Sequence, residues 1–149
     1  MPAVKPVPDG HHTVTPYLMV KDAQAFIDFM ARVFGATTIL QLRRPDGAIG
    51  HTELRIGDSV IMLSEAMAEG PTPCMLHFYV EDVDATFEKA VQAGATVISP
   101  PADQFYGDRS GGVKEPTGYT LWIATHIEDV APDELQRRAE RVMRERQDG

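Results

Sequence analysis

The chain has 149 residues, 43% of them hydrophobic, which suits one compact domain or two small modules sharing a core rather than two separately folding domains. Its 22 acidic residues outnumber 14 basic ones, and the resulting net charge of −8 repels polyanions, so nucleic acid is a poor expectation for a partner. No apolar stretch is long enough to span a membrane or form a signal-peptide core, and a cytoplasmic protein is expected.

Residues 1–12 carry three prolines and are expected to form an extended, partly mobile arm. Strand patterning begins at Thr13 and runs to Val20, with Pro16 either near the strand's beginning or on a sheet edge, because it cannot donate a ladder hydrogen bond. Asp22 then caps a helix whose Phe26, Met30, Val33 and Phe34 share a face, and Gly35 stops it. Strands follow at 37–43, 49–56 and 59–64, divided by the turn signals Pro45-Asp46-Gly47 and Gly57-Asp58.

Residues 67–73 read as a linker, and the order then repeats. A strand over 74–80 leads to Asp82 as a cap, then a helix through Val83, Phe87, Ala90 and Val91 to Gly94. Strands are expected at 96–99, 111–114 and 120–125, with a long polar loop from Pro100 to Ser110. The single cysteine, Cys74, cannot form an internal disulfide, and its apolar neighbours suggest a buried structural thiol. Beyond His126, Pro132 starts a helix in which Leu135, Ala139, Val142 and Met143 make a thin apolar stripe among five arginines, suited to lying across the domain or meeting a second copy.

The repeat is close. Leu18-Met19-Val20-Lys21-Asp22 answers Phe78-Tyr79-Val80-Glu81-Asp82, with Val20 and Val80 sixty positions apart, and Gly35-Ala36-Thr37 answers Gly94-Ala95-Thr96. The expected fold is α+β: two βαβββ modules, 13–66 and 74–126, in a pseudo-two-fold arrangement forming a cup-shaped antiparallel sheet, plus a helical tail over 127–149. Period-two alternation puts Leu18, Val20, Leu54, Ile56, Ile61, Leu63, Leu76, Phe78, Val80, Leu121 and Ile123 on the helix-packed face. The opposite, open face then receives Thr15, Tyr17, Met19, His51, Glu53, Arg55, Met62 and Ser64 from one module. From the other it receives Met75, His77, Tyr79, Thr120, Trp122, Ala124 and His126, a mixture suited to holding a small molecule.

Paired units entered by Val20-Lys21-Asp22 and Val80-Glu81-Asp82 resemble the vicinal oxygen chelate superfamily of glyoxalase I, extradiol dioxygenases and bleomycin-resistance proteins. The segments Val14-Thr15-Pro16-Tyr17-Leu18, Gly50-His51-Thr52-Glu53-Leu54 and Gln104-Phe105-Tyr106-Gly107-Asp108-Arg109 resemble its PhnB-like branch. Metal-dependent members place four ligands on the first and last strands of each unit, and the resemblance carries those places onto Thr15, Met62, Met75 and Trp122. None suits a hard divalent ion, so no cofactor is expected, while a displaced metal on Glu53, His77 and His126 stays open.

The ligand-binding candidates are therefore Tyr17, Met62, Ser64, Met75, His77, Tyr79, Trp122 and Arg109. Asp108 and Arg109 either pair as a clamp or leave Arg109 to meet an anionic ligand. The first functional expectation is a protein binding a small, partly apolar or aromatic molecule, with a homodimer in the manner of the resembled drug-sequestering proteins. An enzyme of lyase, isomerase or dioxygenase type, with His51, Glu53 and His77 as weak acid-base candidates or a displaced metal, is the alternative. A non-catalytic interaction module built on the C-terminal helix is a further one.

Overall fold

The computed structural model describes residues 9–12, 14–66 and 75–148. The linker 67–73, Cys74 and most of the arm 1–12 lie outside the described residues. The fold divides into two compact units, the N-terminal half with Glu115–Tyr119 and Met75–Lys114 with the rest of the chain.

The first unit runs β1 (Tyr17–Val20), α1 (Ala23–Phe34), β2 (Thr37–Arg43), β3 (Ile49–Ile56) and β4 (Ser59–Glu65). The second runs β5 (Met75–Tyr79), α2 (Val83–Gln92), β6 (Thr96–Asp103), β7 (Asp108–Lys114) and β8 (Thr120–His126), and α3 (Pro132–Asp148) follows. Strand orders are β1-β4-β3-β2 and β5-β8-β7-β6. Both sheets are mixed rather than wholly antiparallel, since β1 pairs parallel with β4 and β5 with β8. The crossover through the helix leaves β2 running in the direction of β1, and two hairpins then reverse the chain twice, so the fourth strand returns in the direction of the first.

The duplication extends to register and caps. Tyr17 faces Met62 and, sixty positions on, His77 faces Trp122. Asp22 accepts from the Ala25 N–H and Asp82 from the Ala85 N–H, each at 3.1 Å, satisfying donors that a helix start leaves open. The first helical N–H of each unit is met by the last strand. Ala23 donates to the Glu65 carboxylate at 2.7 Å, and Val83 donates to the Thr125 hydroxyl at 2.9 Å.

Alternation sorted the faces correctly. Leu18, Val20, Leu54, Ile61 and Leu63 are buried with Phe26 and Met30 of α1, and Val113, Leu121 and Ile123 with Val83, Phe87 and Ala90 of α2. Full burial of such a side chain contributes about 1.5–3 kcal/mol. Tyr17, Met75 and Tyr79 stand exposed on the other faces.

Two expectations need correction. β1 starts at Tyr17 rather than Thr13, immediately after Pro16, whose carbonyl accepts from the Met62 N–H. The supposed loop 100–110 is mostly sheet: β6 continues through Pro100-Pro101 to Asp103, β7 begins at Asp108, and only 104–107 connects them. β6 is an edge strand with register shifts between Val97 and Ser99 and between Ser99 and Ala102, where two residues lacking an N–H cost no ladder bonds. The described end of the arm is anchored: His11 Nε2 lies 2.8 Å from a Glu53 carboxylate oxygen and His12 Nε2 3.2 Å from the Asp58 carbonyl. Among the described residues no helix is long and apolar enough to cross a membrane.

Candidate functional site

The open face of the second unit holds a cavity of about 320 Å³ lined by Met75, His77, Ser99, Gln104, Tyr106, Trp122 and Arg146. Strand alternation explains the convergence. Met75 and His77 project from β5 on the side that bears Trp122 of β8, because His77 and Trp122 are register partners. Ser99 shares that side through its pairing with Gly112, itself the partner of Trp122. Gln104 and Tyr106 come from the β6–β7 connection, and Arg146 arrives from α3.

Gly112 sets the floor of this cavity. A Cβ there would stand 3.1 Å from the Trp122 ring carbons Cη2 and Cζ2, so the missing side chain lets the indole lie over β7. Tyr106 is steadied by its neighbours: its ring meets Phe105 edge-on at 5.2 Å, and its hydroxyl lies 3.4 Å from the Ser110 hydroxyl. The result is a sulfur- and aromatic-walled space with a few polar groups at defined points, the make-up of a small-molecule site.

Beside the cavity runs a polar chain. The His77 ring lies 4.8 Å from that of Tyr79, whose hydroxyl donates to buried Asp108 at 3.1 Å. The other Asp108 oxygen is 2.8 Å from His126 Nδ1, and His126 Nε2 is 2.7 Å from Asp129. An imidazole between two carboxylates needs both N–H donors, so this geometry favours the imidazolium. Asp129 first and Asp108 second accordingly hold the His126 pKa above its ordinary 6.5, and Asp108 pushes the Tyr79 phenol upward as well.

The sign of the pH dependence follows. A histidine whose folded value is raised contributes stability that is fully present below about pH 6.5 and is lost as pH rises through the folded value. NMR titration should place the His126 midpoint above 6.5, and Asp129→Asn should bring it down. An unchanged midpoint in that variant would contradict the assignment.

Asp108 and Arg109 do not pair with each other, correcting that expectation. They are successive strand residues and point to opposite faces. Arg109 lies on the helix side, gripping Asp84 of α2 through two N–H donors at 2.9 Å each and reaching Asp103 at 3.2 Å.

Tyr17, Met62, Ser64, His51 and Glu53 belong to the first unit. The Tyr17 hydroxyl is 3.4 Å from His51 Nδ1, and the Ser64 hydroxyl is 3.3 Å from the Met19 sulfur. His51 Nε2 stands 3.8 Å from one Glu53 oxygen while His11 takes the other, so this carboxylate is sheltered between two imidazoles. Glu53, held by His11, raises the His11 pKa.

Thr15, Met62, Met75 and Trp122 offer one hydroxyl, two thioethers and an indole, which do not fit a hard divalent ion, and the Thr15 hydroxyl donates to the His12 carbonyl. Glu53 and His126 of the displaced set each have other partners, and among the described residues no three His, Cys, Asp or Glu side chains gather as a metal requires.

Ser99, Gln104, Tyr106, Gly112 and Arg146 were not among the sequence candidates. The first three lie in or beside the stretch that its prolines disguised as loop, and Gly112 has no side chain to signal a role. Arg146 is one of five helical arginines that sequence alone does not rank.

Comparison with known proteins agrees with this architecture. The family model described as the Glyoxalase/Bleomycin resistance protein/Dioxygenase superfamily matches residues 10–123. An uncharacterized protein of Mycobacterium bovis is 36% identical over 135 residues, covering 83% of this chain and 89% of that protein. The crystal structure of TioX from Micromonospora sp. ML1 is 26% identical with a TM-score of 0.61, over 80% of this chain and all, 100%, of that one. A PhnB protein from Bacillus cereus shares the fold at 16% identity and a TM-score of 0.64, over 76% of this chain and 99% of that one. The repeated βαβββ units and the span of the family match together show that this chain belongs to the glyoxalase/bleomycin resistance protein/dioxygenase superfamily.

Proposed function

We propose that this protein binds a small, planar, partly apolar molecule on the open face of its second unit, without the metal used by catalytic members of its superfamily. The cavity walled by Met75, Tyr106 and Trp122 carries this reading. Thioether and aromatic surfaces reward flat apolar ligands, while Ser99, Gln104 and His77 supply orienting hydrogen bonds. Acid-base catalysis has less support. His77 has an aromatic neighbour and, among the described residues, no carboxylate hydrogen-bonded to it to fix its tautomer.

Self-association belongs to the same proposal. β2 is an edge strand exposed at every residue, and Ile39, Leu40 and Leu42 offer apolar surface beside unpaired backbone groups.

Trp122 is the only tryptophan in the chain, so its fluorescence reports the cavity directly. A panel of planar aromatic compounds should include members that change the emission saturably. Gly112→Val, which displaces the indole from its floor, should weaken them by about tenfold, the scale of one lost aromatic contact. Elemental analysis of protein purified without chelator should find no stoichiometric divalent metal. Saturable binding that Gly112→Val leaves untouched would place the ligand elsewhere.

A further inference from the structure

The cavity has an unusual charge balance. In a chain with 22 acidic and 14 basic residues, no carboxylate lines it, and its one formal charge is the Arg146 guanidinium. Arg109 is held by Asp84 and Asp103, and Arg138 by Glu128 and Glu134. Arg146 has no ion pair or hydrogen bond among the described residues.

Its position is built rather than incidental. Arg138 fastens α3 to the second unit, donating to the Glu128 carboxylate at 2.8 and 3.0 Å and to the Phe105 carbonyl at 3.2 Å. Arg138, Val142 and Arg146 recur every four residues and therefore share one side of the helix, and the first two are half-buried. At about 1.5 Å per residue, Arg146 stands roughly 12 Å along the axis from its anchor, where it meets the cavity. The Ser99 hydroxyl and the Gln104 amide add neutral donors along the same lining.

We propose that Arg146 is the anion anchor of this cavity and that the ligand is a planar aromatic acid, its ring system against Trp122, Tyr106 and Met75 and its carboxylate on the Arg146 fork. This deepens the proposed function and rests on it. A guanidinium binds a carboxylate through two parallel N–H donors, which fixes orientation as well as charge. The C-terminal helix thus completes the site instead of merely covering the domain.

The test compares two probes of nearly equal shape, 2-naphthoate and the neutral 2-naphthalenemethanol, on the full chain by calorimetry and by the NMR shift of the single indole N–H. Wild type should bind the naphthoate on the order of tenfold more tightly. Arg146→Gln should abolish that preference by weakening the naphthoate toward the affinity of the alcohol. Arg144→Gln, which removes an exposed charge from the same helix outside the cavity, should keep the preference. Equal affinities in wild type, or equal loss of preference in both variants, would overturn the anion anchor while binding of the alcohol still upheld the cavity. If neither probe shifts the indole, the cavity reading falls and the anchor with it.

Discussion

Gly107→Ala is expected to be the most damaging single-methyl substitution in the second unit, with a loss of about 3 kcal/mol or more. Gly107 has φ +96°, where an L side chain is strained by about 1–2 kcal/mol. A Cβ there would also stand 2.2 Å from the Glu128 carbonyl oxygen, a backbone atom that cannot rotate away. The same residue's carbonyl accepts from the N–H groups of Ile127 and Glu128 at 2.9 and 3.0 Å, so the contact cannot open without losing both bonds.

Gly47→Ala is the matched control. It has φ +87° but nothing within 4 Å of the added methyl, so it should cost only the backbone strain. Chemical denaturation of the two variants separates strain from collision, and equal losses would refute the steric argument. Because residues 127–131 lead into α3, Gly107→Ala should also increase protease cutting there and erase the preference for 2-naphthoate.

The second large effect is expected at Glu115, a carboxylate only 1% exposed. It accepts from the backbone N–H groups of Thr117 and Tyr119 at 2.8 Å each and from the Thr117 hydroxyl, closing the turn on itself. The turn delivers Tyr119 to the first unit, where its ring meets Phe26 at 5.8 Å and its hydroxyl donates to the Met19 carbonyl. Glu115→Ala strands buried donors and should destabilise by about 2–4 kcal/mol in urea unfolding. Glu115→Gln keeps one acceptor oxygen and should lose roughly half as much. A loss under about 0.5 kcal/mol for the alanine variant, the range of ordinary surface changes, would show that the turn does not depend on this carboxylate.

Much of the fold was legible because it is written in local chemistry. Asp22 and Asp82 announce helix starts by their capping oxygens, Gly35 closes a helix whose apolar residues recur at helical spacing, and strand alternation separates Leu63 from Met62. The sixty-residue echo from Val20 to Val80 carried the same logic to the second unit and to the superfamily. Local signals failed where tertiary placement overrode them. Pro100-Pro101 reads as a strand breaker, yet an edge strand tolerates the pair where its register against β7 shifts between Ser99 and Ala102.

Spacing and caps act within a few residues, which suffices for the two βαβββ units, their buried faces and the open-face membership of Met75, His77 and Trp122. Long-range packing chose which of those side chains meet in a cavity. It turned Arg109 to Asp84, held His126 between two carboxylates, laid the Trp122 indole over Gly112 and brought Arg146 from the far end of the chain. Those contacts join residues distant in sequence, and their energies depend on where helices and strand edges dock, which periodicity does not encode.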